Sequence, residues 1–208
     1  MPRISAATVA EHRAMQQRAV LDAARDLLAE TGHAPSLAEV GRRAGLARSS
    51  VYQYARSRED LMAAVVADVF PAWAARTRDA VDKATTPGEG VWAYVVSNVA
   101  FFSGSENRVA RTLGSVVDPE VLEGPMTEFH RALQEPLLEA LGAHGEPQGS
   151  AAADVIDAMI LGATREMRSR SDAVDPTEHE EALALLRRLL GPYLGLDAAT
   201  ISSVPPVG

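Results

Sequence analysis

SLAEVGRRAGLARSSVYQYARSREDL, Ser36 to Leu61, is the stretch on which the reading of this chain turns. Ser36 stands three residues before Glu39, the spacing of a capping box, so a short helix opens here and carries Leu37 and Val40 inward. Ala44, Gly45 and Leu46 then make a tight turn, because glycine takes a positive φ that other residues resist and leucine fills the gap between two helices. A third short helix over about Ala47 to Tyr54 follows. Ser57, three before Asp60, caps a long fourth one. Upstream, Val20, Leu21, Ala24, Leu27 and Leu28 recur at helical spacing from Arg18 onward and stop at Gly32.

Two short helices joined by a glycine turn form a helix-turn-helix, whose second helix enters the major groove amino-terminus first. That end here is Ala47, Arg48, Ser49 and Ser50: one long donor for a guanine edge or a phosphate, and small residues that let the backbone approach. Tyr52, Gln53 and Tyr54 add hydroxyl and amide donors at the groove edge. Ser57 and Arg58 open the fourth helix, where free N–H groups, the helix dipole and a guanidinium together favour a phosphate.

The charge distribution is uneven, although on charge alone ordinary variation accounts for it. The chain of 208 residues has net charge -8, yet residues 1 to 60 carry nine arginines against seven acids and the remainder eleven basic residues against twenty-one acids. A basic segment on an acidic body suits a polyanionic partner in one orientation. The chain has no cysteine, which excludes disulfides, thiolate zinc sites and cysteine nucleophiles and fits a reducing compartment. The amino-terminal MPRISAATVAEHRAMQQ lacks the apolar run of a signal peptide, and LMAAVVADVFPAWAA is interrupted by Asp68 and Pro71 short of a membrane span. The expectation is a soluble, cytoplasmic protein with no membrane partner.

SLAEVGRRAGLARSSVYQYARSREDLM, preceded by RAVLDAARDLLAETG, resembles the DNA-binding segment of TetR-type (tetracycline-repressor-like) transcriptional regulators. The match covers roughly residues 16 to 65, with the Ala44-Gly45-Leu46 turn, Val51-Tyr52 and the Ser57-to-Leu61 helix start in register. It implies that Ser36 caps the second helix and touches a phosphate, that Arg48, Ser49, Ser50 and Gln53 face the groove, and that Tyr52, Tyr54 and Arg58 grip the DNA backbone. Three positions depart from the family pattern. Ala47 replaces a common capping serine or threonine, Ala55 a packing phenylalanine, and Arg56 a proline.

The rest reads as helix throughout, near 58–84, 88–103, 106–115, 125–142, 151–169 and 177–194, with proline after a capping residue at Thr86-Pro87, Asp118-Pro119 and Asp175-Pro176. Pro71 is expected to kink or split the first of these. Gly142 to Ser150 reads as a flexible connection and the final SSVPPVG as frayed. The expected fold is all-α: an amino-terminal three-helix bundle with the helix-turn-helix, residues 1–56, and a larger helical ligand-binding and dimerisation domain, residues 57–208.

AAADVIDAMILGATREM and EALALLRRLLGPYL carry apolar faces, Val155, Ile156, Met159 and Ile160 on one and Leu183, Leu186, Leu189, Leu190 and Tyr193 on the other, that suit either intramolecular core or a second copy. A single helix-turn-helix reads few base pairs, so two-fold pairing over half-sites favours the second copy. The resemblance likewise implies a homodimer through the last two helices. Phe70, Trp73, Trp92, Tyr94, Phe101, Phe102 and Phe129, with Met126 and Met159, read individually as core. Together with Asn98, Arg108, His130 and Arg165 they are candidates to line a mostly apolar ligand pocket, and the resemblance implies such a pocket for an unidentified small-molecule effector.

The five histidines, at 12, 33, 130, 144 and 179, show no paired metal-ligand spacing, and no phosphate loop, nucleophile elbow or HExxH occurs. Glu178, Glu180 and Glu181 beside His179 read as a solvated helix start. No catalytic residue, metal or cofactor is expected. These residues point to a sequence-specific transcriptional regulator, a repressor released from a palindromic double-stranded DNA operator by a ligand. The competing reading is an all-helical small-molecule binding protein or enzyme whose helix-turn-helix no longer engages DNA; salt-dependent binding to a palindrome separates the two.

Overall fold

The structure, a computed structural model, describes residues 6–165, 167 and 176–196. Every element among them is helical: α1 (Ala6–Thr31), α2 (Leu37–Ala44), α3 (Arg48–Val51), α4 (Arg58–Asp82), α5 (Pro87–Ser103), α6 (Ser105–Val116), α7 (Pro119–His144), α8 (Gly149–Ala163) and α9 (Pro176–Leu194). By packing, the chain forms two units, residues 1–69 with 108–125, and residues 70–107 with 126–208. The boundary read at residue 56 marks where the motif ends; packing instead groups the first half of α4 and part of α6 with the motif. The expectations for SSVPPVG and for helix over residues 168–169 lie outside the described residues.

In the first unit, α1 buries Val20, Ala24 and Leu28 along one stripe, and α2 and α3 add Val40 and Val51. Each of the valine and leucine side chains contributes about 1.5–3 kcal/mol on burial. α1 begins at Ala6, well before the first periodic residues at Arg18, because the preceding turns are rich in Ala, Glu, Gln and Met, good helix formers that need no buried face. Arg18 then clamps α1 to α4, donating to both carboxylate oxygens of Asp68 at 2.8 Å while also reaching Asp22.

α4 departs from one half of the expectation, since Pro71 lies inside it without splitting it. Pro71 and Ala67, whose carbonyl loses its helical donor, are both exposed. That side of the helix is open to solvent, where a carbonyl without its helical donor is least costly, while buried Val65, Val69, Trp73 and Ala74 hold the helix on either side. α7 departs too, beginning at Pro119 instead of near 125. Asp118 Oδ1 accepts from the Glu120 N–H at 2.9 Å, so the Asp-Pro pair starts the helix.

The second unit is built on α5, α8 and α9, which pack on one another. Thr86 and Glu89 form a complete capping box with Pro87 in the first turn of α5. The core joins Val91, Val95 and Val99 of α5 to Ile156 and Ile160 of α8 and Leu186 and Leu190 of α9. Tyr94 donates to Asp157 Oδ1 at 2.7 Å and Gln134 to Asp157 Oδ2 at 2.8 Å, a polar node tying α5, α7 and α8. Burial, and then the facing carboxylate, raise the Tyr94 pKa above its ordinary value.

The segment read as a flexible connection is neither long nor loose. Only residues 145–148 separate α7 from α8. Gly145 takes a φ of 89°, the Glu146 N–H returns to Leu141 O at 3.0 Å, and Tyr193 of α9 donates to Glu146 Oε2 at 2.6 Å.

Candidate nucleic-acid interface

The helix-turn-helix is built as its residues dictate. Glu39 N donates to Ser36 Oγ at 3.3 Å, and Glu39 Oε2 accepts from both Ser36 N and Ser36 Oγ, which closes the capping box. Those Ser36 donors hold the Glu39 carboxyl below its usual range. At the other end Gly45 adopts φ 67°, and Leu46 N returns to Gly41 O at 2.8 Å, a left-handed stop that turns the chain into α3.

Gly41 is a residue that the motif reading did not single out. A Cβ there would stand 3.0 Å from Leu46 O and 3.3 Å from Val51 Cγ2. The glycine is what lets α2 and α3 approach. A glycine inside a short helix costs about 1 kcal/mol relative to alanine, and that cost was the available signal for a close approach.

α3 is one regular turn, continued by hydrogen-bonded turns to Ala55. Ala47 occupies its amino-terminal cap in an extended conformation and supplies no side-chain bond. The helix therefore presents its first N–H groups uncapped. Ala47, Arg48 and Ser49 are exposed there and Ser50 is half-buried, with Gln53, Arg56 and Arg58 also exposed nearby.

Two expected backbone contacts look different at the level of hydrogen atoms. Arg48 Nη2 donates to Tyr52 Oη at 2.9 Å, with the guanidinium carbon 5.5 Å from that ring's centre. Tyr54 is half-buried and donates to Gln16 Oε1 of α1 at 2.9 Å. Tyr52 thus accepts from Arg48 and orients it without spending its own hydroxyl hydrogen on that bond. Tyr54 must exchange its bond to Gln16 before it can donate to DNA. Ser36 has likewise committed its hydrogen to Glu39. On the flank, Arg43 pairs with Glu30 through two bonds of 2.8 and 2.6 Å and braces α2 against α1.

Ser57 Oγ accepts from Asp60 N at 3.0 Å and Asp60 Oδ2 from Arg56 N at 3.2 Å, so both sides of the cap before α4 are satisfied. Arg56, standing where proline is common, uses its N–H in this cap. Ala55 is 3% exposed, which shows that a small residue fills this site without leaving it open to solvent.

The residues expected to line a pocket divide. Phe70 stacks on Phe129 at 4.9 Å, Trp73 on Phe101 at 4.6 Å, and Phe101 meets Phe102 edge-on at 5.3 Å, all within the second unit. Trp92 instead lies under Arg187 of α9, Tyr94 is committed to Asp157, and Asn98 donates to Tyr94 O. Met126 and Met159 are half-buried, whereas His130 and Arg165 are exposed. Arg108 belongs to the first unit, and its buried Nε has no hydrogen-bond partner.

His179 does not fit a fully solvated helix start. It is half-buried, with Nδ1 2.8 Å from Ser103 Oγ. Among the described residues no group of three His, Asp or Glu side chains is placed to hold a metal, and no helix is long and apolar enough to cross a membrane.

Residues 20–65 match the family model of bacterial regulatory proteins of the tetR family. No curated protein matches the chain. Among solved structures, a protein of Mesorhizobium loti classed with the TetR-family transcriptional regulators is similar at TM-score 0.69 and 16% identity, over 86% of this chain and 97% of the other. Escherichia coli NemR in its reduced form is similar at TM-score 0.64 and 21% identity, over 83% and 96%. Bacillus subtilis FadR, solved with stearoyl-CoA, is similar at TM-score 0.63 and 15% identity, over 86% and 98%. At these identities the likeness is one of fold.

Proposed function

We propose, for a chain that carries the amino-terminal domain of the tetR family of bacterial regulatory proteins, the function of a DNA-binding transcriptional regulator that works as a homodimeric repressor and leaves a palindromic operator when a small molecule binds its helical body. The observation that carries this reading is the exposed start of α3. There the Gly45 turn presents Arg48 and Ser49 to solvent inside the segment that matches the family. Those donors suit base edges, while Tyr52 and Arg58 suit phosphates.

Two features support the finer parts. The faces of α8 and α9 divide: Ile156, Ile160, Leu186 and Leu190 enter the core of their own chain, whereas Val155 and Leu189 remain 58% and 57% exposed. An apolar strip of that kind suits a second copy of the chain. The aromatic cluster around Trp73, Phe101 and Phe70 suits an apolar effector. An effector that binds one arrangement of the body better than another shifts the population by that difference in affinity.

Footprinting on the DNA flanking the protein's own gene, at two salt concentrations and with candidate compounds, tests the reading. Protection of a palindrome that weakens with salt is the expected result. Equal affinity for all sequences would overturn it.

A further inference from the structure

On one face of α4, in the second unit, two buried polar atoms make no hydrogen bond. Trp73, 6% exposed, leaves Nε1 unpaired, and Thr77, fully buried, leaves Oγ1 unpaired. Trp73 and Thr77 are four residues apart, so their side chains neighbour each other on the helix surface. The Thr77 case is the more telling. Hydroxyls in helices can bond the carbonyl four residues back, as buried Thr164 does to Ile160 O at 2.7 Å and half-buried Ser103 to Val99 O at 3.1 Å. Thr77 does not use that carbonyl. Buried donors without acceptors are costly to retain, and native proteins keep few of them.

Their surroundings restrict what can satisfy them. Trp73 packs on Phe101, which packs on Phe102, while Phe70 of the same helix stacks on Phe129. The neighbouring cation, Arg76, is exposed and paired with Glu106 at 3.5 Å. An anionic ligand would have to shed its water against two neutral donors with no committed countercharge, which is unfavourable. A neutral carbonyl oxygen has two lone pairs and can accept from an indole N–H and a hydroxyl together.

From this we infer that Trp73 and Thr77 form the acceptor-recognition pair of the effector site, and that the effector is a largely apolar molecule bearing a neutral carbonyl, as a ketone, ester or lactone does. This rests on the reading of the second unit as the effector-binding body. It adds the chemical class of the ligand and the two side chains that select it.

The test uses the full-length protein with four probes: 4-phenylbutan-2-one, δ-octalactone, 4-phenylbutanoate and butylbenzene. The indole proton of Trp73 is identified by its loss in Trp73→Phe. The ketone and the lactone should move it downfield, and Thr77→Val should weaken them about tenfold while leaving butylbenzene unchanged. In the absence of probes, Thr77→Val should raise the thermal midpoint, because it removes an unpaired hydroxyl at constant shape. An indole resonance that ignores both carbonyl compounds overturns the inference. So does tighter binding of the carboxylate than of the ketone, a lowered midpoint for Thr77→Val, or exchange of the indole proton with a bound water that no probe displaces. DNA binding is measured on the same samples. DNA released by a compound that leaves the indole unmoved defeats this inference and spares the regulator, whereas failure to bind DNA defeats the regulator reading whatever the indole does.

Discussion

Arg48 and Tyr52 hold each other on the exposed face of α3: the guanidinium donates to the phenol oxygen at 2.9 Å and lies against its ring. The pair spans one helical turn, the spacing at which side chains meet. Tyr52 therefore limits the directions in which Arg48 can point. A base-reading arginine with fewer rotamers to lose has a smaller ordering cost on binding.

Arg48→Ala should cost about 1–3 kcal/mol on the preferred operator and relax preference at one base pair. Tyr52→Phe keeps the ring but removes the acceptor, so it should erode preference less than Arg48→Ala does. Arg58→Ala should weaken all sequences alike and reduce the salt slope. Anisotropy titrations on operator and random DNA separate the three, and identical losses on both DNAs for Arg48→Ala would remove it from base reading.

Ala47 occupies the cap of α3 in an extended conformation with no side-chain bond. Serine at that position can accept from an N–H of the first turn. Ala47→Ser should stabilise the fold by about 0.5–1 kcal/mol in urea unfolding. No change would mean that water already serves those N–H groups equally well.

Gly88 shows how closely α5 and α9 meet. A Cβ there would stand 2.1 Å from Leu194 O, against backbone that cannot swing aside. Gly88→Ala should destabilise by roughly 1–3 kcal/mol or more. Gly142→Ala, in α7 with open space around the added Cβ, should instead stabilise by about 0.5–1 kcal/mol. Opposite shifts in urea midpoint for two chemically identical changes are the expected outcome.

His179 carries a pH dependence. Burial lowers its pKa, against the opposing charge of Glu180. A histidine with a depressed folded pKa binds fewer protons folded than unfolded. Stability is then full above its unfolded pKa of about 6.5 and declines as pH falls through that value towards the folded one. His179→Asn keeps an amide able to hydrogen-bond Ser103 Oγ and should flatten the fall in unfolding free energy between about pH 7 and 5. An unchanged profile would show that His179 is protonated equally in both states.

What the sequence made legible is local. The capping box at Ser36-Glu39, the Thr86 cap before Pro87 and the left-handed Gly45 all form as read, since each depends on residues within four positions. The Asp118-Pro119 start is equally legible, although the helix read near 125–142 begins after it; Pro125 and Pro136 both lie inside α7. What stayed hidden is tertiary. Nothing in the spacing of Arg18 and Asp68, Gln16 and Tyr54, or Gly88 and Leu194 announces that they meet, because helix packing brings them together. The aromatic residues show the same limit. Their composition suggested an apolar site, but composition does not separate Trp73, which has an unpaired indole nitrogen, from Trp92, which lies under Arg187.

The divided faces of α8 and α9 give the prediction with the widest consequence. On α8, Val155, Ala158 and Gly162 are exposed on the side away from Ile156 and Ile160; on α9, Leu185 and Leu189 are exposed beside buried Leu186 and Leu190. If the exposed strips meet a second copy, Leu189→Glu places a charge in an apolar contact and should yield a folded monomer by sedimentation at micromolar concentration. Its unfolding midpoint, measured on the monomer, should stay close to that of dissociated wild type. Leu186→Ala removes a fully buried side chain and should cost about 2–5 kcal/mol of stability whatever the oligomeric state. The two changes, three residues apart, thus separate intrachain core from interchain contact. Loss of the dimer should also cost operator affinity far more than affinity for a single half-site, because each subunit then binds alone. A Leu189→Glu protein that remains dimeric would move the interface to another surface.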